Sequence, residues 1–318
     1  MTNQDPQEVF LIHHGNQDYL QIAAIETQKN GNKVILIGND AQTGKMCTDY
    51  YDDGLIELQD YQKFEAQYVH MSSAPRVFEL LCFKRYFYLY AIAKQRGLNQ
   101  FWMIDSDAIV LQDLSGITNS FLLPNNYCAG ISTRHQSKYD WASSPHTSFW
   151  TLKGLEDFID FLKHLHSGES RDLLNQKYQW HLDNDIPGGI CDMTALFLWQ
   201  KNRDDVYNLA KAHLEGLPLF DNNLNEDGNM APREFLIVKN MKLKKITYGD
   251  SVYCAHKEKD SKKIPVAALH FQGRAKVCMA TFQKKQEITY WSYAPYAFLQ
   301  YFQKRKNSLQ RKVKKLFF

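Results

Sequence analysis

The stretch "FWMIDSDAIVLQDL", residues 101–114, carries an apolar run into two acids separated by one serine, and then returns to apolar residues. Burying ionised carboxylates is costly unless they are paired or bind a metal. Asp105 and Asp107 are therefore expected where an apolar strand surfaces. In an extended segment, side chains at i and i+2 share a face, so both carboxylates could address one cation, with Ser106 turned away. Mg²⁺ and Mn²⁺ take oxygen ligands and borrow others from water and substrate phosphates. A bare Asp-x-Asp also fits a solvated loop; the strand before it favours the metal reading.

Working toward the N-terminus, "EVFLIHH" (8–14) reads as a short buried strand closed by Gly15, "NQDYLQIAAIETQKNG" (16–31) as a helix stopped by Gly31, and "KVILIGND" (33–40) as a second strand. This is a βαβ unit, so part of the sheet is parallel. Residues 41–75 are polar and turn-rich. The helix "RVFELLCFKRYFYLYAIAKQRG" (76–97) is ringed by aromatic residues and leads into the strand "QFWMID" (100–105). In open α/β sheets ligands gather at the C-terminal ends of strands.

Downstream, "NYCAGIST" (126–133), "TSFWTL" (147–152), "FLIVK" (235–239) and "VAALHF" (266–271) read as strands, and 154–168 and 192–201 as helices. "ALHFQGRAK" (268–276) sets His270 at a strand end, followed by Gly273 and Lys276. Neutral imidazole ligates Mn²⁺ well; glycine admits backbone N–H groups to an anion, and lysine adds a point charge.

The aromatic-rich helix, apolar strand and "DSD" resemble the central segment of nucleotide-sugar-dependent glycosyltransferases with the GT-A fold. The resemblance implies a Rossmann-like mixed central sheet flanked by helices over residues 8–280. Asp105 would contact the ribose or metal, Asp107 the metal, and the metal the donor's diphosphate. The His-Phe-x-Gly-x-x-Lys element is similar to one in the glycogenin-like family, implying that His270 completes the metal site and that Gly273 and Lys276 lie by the diphosphate. The chain departs from that family in Val277 and Cys278, where Pro-Trp is expected, and in "GGICDMTAL" (188–196), which lacks the Gln that would follow the Asp.

Other candidates keep two readings each. Asp192 is either a helix N-cap or a carboxylate near the acceptor, where an inverting enzyme needs a base; Asp185, with Asp183 and Asn184, competes for that role. His13, His14 and Gly15 end the first strand, and Asn39 and Asp40 the second, where a base and ribose would bind or where ordinary turn chemistry would suffice. Lys84 and Arg85 either face the diphosphate or snorkel to solvent. Trp141, His146 and Trp150 form a sugar-stacking wall or pack in the core.

The 318 residues are 44% hydrophobic and 14% aromatic, enough for one large domain. Residues 304–318, "KRKNSLQRKVKKLFF", hold seven Lys or Arg and no acid. The division expected is a catalytic domain over 1–303 and a basic tail or helix over 304–318, either solvated or resting on anionic lipid. The six scattered cysteines make neither a disulfide framework nor a zinc knuckle. With no signal-peptide core and no spanning segment, the expected location is the cytosol or the inner face of a membrane.

The function expected is transfer of a sugar from a nucleotide-diphosphate donor, UDP-linked for preference, to a glycan or lipid-linked acceptor, with Mn²⁺ or Mg²⁺ and without nucleic acid. Two alternatives stand beside it. One is a haloacid-dehalogenase-like phosphohydrolase, although Ile109 replaces its Thr or Val and "GDSVYC" (249–254) ends in Cys254 instead of Asp. The other is an idle nucleotide- or glycan-binding protein on the same scaffold.

Overall fold

The computed structural model describes residues 6–134, 136, 139–239, 241–257 and 263–289. The chain opens with β1 (Glu8–His13), the helix Asp18–Lys29 and β2 (Lys33–Gly38). It adds β3 (Asp49–Asp52), the helices Gln59–Gln67 and Arg76–Gln95, β4 (Gln100–Ile104) and β5 (Ala108–Val110). Then come β6 (Ala129–Thr133), β7 (Ser143–Thr151), the helices Leu152–His164, Gly168–Asp183 and Asp192–Gln200, and β8 (Val206–Asn208). The last strands are β9 (Leu219–Phe220), β10 (Ile246–Tyr248), β11 (Val252–Ala255) and β12 (Lys263–His270).

A mixed sheet runs β3-β2-β1-β4-β7-β6-β8. The first four strands in that order are mutually parallel; β7 is antiparallel to both neighbours. Its strands read as continuous apolar runs because both faces are covered. Phe10, Ile35, Ile37, Phe101 and Met103 pack toward the long helix Arg76–Gln95, and Val9, Leu11, Val34, Leu36 and Trp102 pack into the cluster on the other face. Full burial of side chains of this size is worth about 1.5–3 kcal/mol each. A second sheet, β10-β11-β12-β5, is antiparallel, with β9 lying parallel beside β12. Trp102 of β4 stacks on Phe220 of β9, with centroids 5.5 Å apart, and so joins the two layers. This is the helix-flanked mixed α/β architecture expected from the sequence.

The departures have local causes. Residues 41–75 are not all loop: β3 extends the sheet at its edge, and the helix Gln59–Gln67 covers the core with only Tyr61 and Phe64 buried. The helix Gly168–Asp183 was invisible as an apolar pattern because only Leu174 and Lys177 of it are buried. "FLIVK" is not a strand. It makes isolated bridges through Phe235 and Ile237, and Val238 N–H bonds back to the Leu243 carbonyl at 2.8 Å, which turns the segment on itself. All six cysteines are free, and among the described residues no helix is long and apolar enough to cross a membrane. The 304–318 tail and the boundary before it lie outside the described residues.

His166 follows the helix Leu152–His164 and is buried against Tyr68 and Phe64, centroids 4.9 and 6.0 Å away, with neither ring nitrogen bonded. Burial, aided by Arg171, pushes its pKa down to about 4. Because the folded state disfavours the imidazolium, this contribution is whole above the unfolded value of about 6.5 and is lost as pH falls toward 4. Urea unfolding from pH 7 to pH 4 should therefore show His166→Phe losing up to about 3 kcal/mol less stability than the parent over that interval. Parallel curves for the two proteins would remove this histidine from the acid response.

Candidate metal centre and its surroundings

The Asp-Ser-Asp segment is a tight turn, not extended strand: Ala108 N–H bonds the Asp105 carbonyl at 2.9 Å. The two carboxylates therefore converge by chain reversal, and strand alternation does not place them. The turn is also where the chain leaves the mixed sheet at the end of β4 and enters the second sheet as β5. Asp107 is buried, whereas a third of the Asp105 side chain is open.

His270 reaches this turn through β12. That strand pairs antiparallel with β5, His270 opposite Ala108, and Phe271 N–H closes on the Asp107 carbonyl at 2.8 Å. Asp105, Asp107 and His270 each offer a ligand atom, all within 4.8 Å of one another. The His270 Nδ1 donates to the Asn222 carbonyl at 2.8 Å, leaving Nε2 facing Asp107 Oδ1 at 3.5 Å. That fixes the tautomer a metal-binding imidazole needs. Two carboxylates and one oriented imidazole fit a divalent cation such as Mn²⁺.

A buried ion pair supports the ring from behind. Asp221 and Lys244 are both inaccessible and meet at 2.6 Å. The other Asp221 oxygen accepts the His270 backbone N–H at 3.2 Å, and Lys244 also donates to the Asn223 carbonyl at 2.8 Å. His146 stacks on His270 with centroids 4.2 Å apart and donates from Nε2 to the Asp221 carbonyl at 2.9 Å. Sequence reasoning missed Asp221, Asn222 and Lys244. The run "DNN" directly after a short apolar segment was the available signal.

Cations already sit on the acids. Lys276 Nζ is 3.0 Å from Asp107 Oδ2 and lies over the Tyr19 ring. Burial works to raise the Asp107 carboxyl, but His270 and Lys276 hold it well below the usual carboxylate range. Burial likewise opposes charge on His270, and Asp107 overcomes it, so the ring's pKa is raised. Any proton on Nε2 would have to leave before the ring could act as a ligand. Gly273 has φ +58 at the start of a short 3-10 turn that carries Lys276 inward.

Arg85 bonds Asp105 at 2.9 Å and also Asp192, which in turn accepts from Tyr86 Oη at 2.9 Å. Asp192 is therefore not the N-cap, a position held by Cys191; it is a buried anchor at the first helical position. It is delivered there by Gly189 (φ +143), where a Cβ would stand 2.2 Å from the Met71 carbonyl. Lys84 does not share the site: its ammonium lies over the Tyr61 and Tyr88 rings.

His13 ends β1 beside this cluster. Burial lowers its pKa, Gln17 counteracts, and Lys276 and Asp107 both act on it. His14 meets Asp53 at 2.9 Å, and Gly15 N–H bonds Asn39 Oδ1 at 2.8 Å. The Asp40 carboxylate caps the next short helix through Gln42 and Thr43 N–H, both at 3.2 Å. Asp185 is exposed in the turn after Gly168–Asp183. The proposed aromatic wall does not form. Trp150 is buried against Phe158 and Trp199, His146 is committed to His270, and Trp141 stacks on Phe197. Asp250 of "GDSVYC" lies between β10 and β11, bonded to Tyr253 Oη at 2.6 Å.

No family model matches the chain, and no curated protein matches it. Solved structures similar to it are glycosyltransferases. Mouse xyloside xylosyltransferase 1 in its apo form is 10% identical, with 69% of this chain and 87% of that one covered and a TM-score of 0.45. The galactosyltransferase LgtC, solved with donor and acceptor sugar analogues, is 12% identical, with 89% and 97% covered and a TM-score of 0.47. The bifunctional glycosyltransferase WbbM is 10% identical, with 93% and 52% covered and a TM-score of 0.46. At these identities and scores, what the chain does rests on its own residues.

Asp221→Asn should cost about 3–5 kcal/mol in urea unfolding, because Lys244 loses its buried counter-charge. Adding Lys244→Met should recover most of that stability while Mn²⁺ affinity, read by titration, stays about 10–100-fold below the parent. Parental Mn²⁺ affinity in the double variant would make the pair a stability element alone.

Proposed function

We propose that this chain is a metal-dependent glycosyltransferase of the GT-A type that takes a nucleotide-diphosphate sugar, UDP-linked for preference. The observation that carries the proposal is the convergence of Asp105, Asp107 and His270 at the C-terminal edge of a mixed α/β sheet, with Lys276 at the same carboxylate. Two oxygen donors, a tautomer-fixed imidazole and an adjacent ammonium suit a divalent cation that arrives with a pyrophosphate.

Mn²⁺ or Mg²⁺ would be held by Asp105, Asp107 and His270 and would neutralise charge developing on the departing nucleoside diphosphate. Lys276, which pairs with Asp107, would meet the diphosphate there, where Gly273 leaves backbone room. His13, with Asp40 at the end of β2, borders the nucleotide's base and ribose. Arg85 is held by Asp192 and stays charged beside Asp105, aimed at the donor. We assign Asp192 a positioning role through Arg85; Asp185 has no link to the metal cluster among the described residues. The acceptor is a glycan, free or lipid-linked. The basic 304–318 segment, appended to a catalytic domain over 1–303, is the part we assign to anionic lipid, at the cytosolic face of a membrane.

Nothing comparable favours phosphohydrolysis. That reading needs the Gly-Asp segment to bring its acid to Asp105 and Asp107, and Asp250 instead borders a separate cavity with Glu26 and Lys29.

Thermal melting with UDP, GDP or ADP, with and without Mn²⁺, tests the proposal. A nucleotide held at 100 times its Kd stabilises the fold by about 2.7 kcal/mol. The shift should appear with UDP only when Mn²⁺ is present and vanish in Asp107→Ala and His270→Ala. UDP-sugar turnover should fall at least 100-fold in the same variants. Equal shifts with and without metal would sink the reading.

A further inference from the structure

The turn Asp105–Asp107 lies in the middle of the large sheet's edge, with β1 and β2 on one side and β7 and β6 on the other. The β1 side carries His13, Gly15 and Asn39. On the opposite side β6 ends and β7 begins at the same edge, since β6 runs parallel to β4 and β7 antiparallel. Between them lies a cavity of about 330 Å³ that touches Ser132, Arg134, Asp140, Ala142, Met193, Asn222 and Gln272. It adjoins the metal cluster without including any of its ligands. Met193 follows Asp192, Gln272 lies two residues beyond His270, and the Asn222 carbonyl is the one that orients His270.

The lining is polar and partly uncommitted. Ser132 is 1% exposed, and its hydroxyl has no hydrogen-bond partner. Such orphaned buried groups are uncommon and call for an explanation. The Asn222 and Gln272 side-chain amides also make no bond within the described residues; only their backbone atoms are engaged. The frame around these groups is fixed. The Gln136 amide clamps Arg134 and Ala142 together, and Lys177 holds the Tyr139 and Asp140 carbonyls at 2.6 and 2.8 Å. Arg134 and Asp140 bring opposite charges to the lining, and its hydroxyls and carboxamides offer both donors and acceptors, which together match the hydroxyls of a sugar without favouring an anion or a cation.

Arg134 pairs with Glu226, which Asn223 also holds at 3.0 Å, and this wall is shared with a second cavity of about 510 Å³. That cavity has an apolar side made by Met230, Pro232 and Ile237. Both volumes fall within the usual range for small-ligand sites.

We infer that the Ser132–Asn222–Gln272 cleft is the acceptor subsite, that it takes the terminal ring of an uncharged saccharide, and that the next ring crosses Arg134–Glu226 into the Met230–Ile237 cavity. The inference rests on the glycosyltransferase reading and adds to it the acceptor class: a neutral glycan of at least two rings. The terminal hydroxyl then meets the donor from the β6–β7 side, while the nucleotide occupies the β1–β2 side.

The test uses the full chain with UDP and Mn²⁺ on a printed array of neutral mono-, di- and trisaccharides and of uronic- and sialic-acid glycans, followed by titration of the best binder. Neutral glycans of two or more rings should bind at least tenfold tighter than single sugars or acidic glycans. Ala142→Trp, which fills the cleft, and Gln272→Ala should each weaken that binding at least tenfold, with the Mn²⁺-dependent UDP melting shift preserved as the measure of a folded donor half. A preference for acidic glycans, unchanged binding in both variants, or no glycan binding while UDP still binds would overturn the acceptor assignment alone. Absence of the UDP shift in the parent would take the glycosyltransferase reading down with it.

Discussion

The pairing of β12 with β5 is the constraint from which the site follows. Residues 107 and 270 are far apart in sequence, and only this antiparallel ladder sets Ala108 opposite His270 and lets Phe271 close on the Asp107 carbonyl. Because side chains alternate across a strand, a slip of one residue would turn the imidazole to the opposite face. The register is held by what lies on either side of it: Ile109 and Leu269 pack in one apolar cluster, while Val110 and Ala268 pack in another. Hydrophobic burial on both faces of a short strand thus fixes the geometry of a polar site.

Polar groups then refine what the ladder roughly places. Asp221 and Lys244 are wholly buried, a costly arrangement that an apolar pair of similar volume would often equal or better. Its return is positional. One carboxylate oxygen takes the Lys244 charge and the other takes His270 N–H, while the Asp221 and Asn222 carbonyls orient the two stacked imidazoles. Asn222 and the next residue, Asn223, also line the cleft beyond the metal cluster. One short loop therefore borders both the metal cluster and the cleft beside it.

Much of this was legible in the sequence, and the limits have physical causes. The βαβ unit, the long helix and β4 declare themselves because their apolar residues are continuous or periodic and their ends carry turn residues. Asp105, Asp107, His270 and Lys276 were legible because acids and an imidazole at the ends of apolar runs have few inexpensive structural roles. The geometry of the acid pair was not: a two-residue spacing reads the same whether a strand or a turn brings the oxygens together. Asp221 and Lys244 were hidden because a buried pair looks like two ordinary surface charges until the fold joins them. Trp141, His146 and Trp150 misled for the opposite reason, since aromatic residues that would suit a sugar wall suit a core equally well. The helix Gly168–Asp183 escaped because it buries too little to leave a stripe.

The charges around the turn point to the kind of ligand the site awaits. Asp105, Asp107 and Asp192 are matched by Arg85, Lys276 and a His270 whose proton is stabilised by Asp107. With His270 protonated and the acids ionised, the cluster is close to neutral. Exchanging the His270 proton for a dication would leave it one positive charge in excess and would weaken the hold of Lys276 on Asp107. Excess charge in a partly buried site is unfavourable unless an anion enters with it. A simple carboxylate would balance the charge but leave Lys276 and Arg85 on opposite sides of the turn with nothing to bridge them. A diphosphate supplies several oxygens and more than one charge, and so could answer the cation and the side-chain charges together. The charge balance thus favours a cation and a pyrophosphate binding as one unit over a site built for either alone.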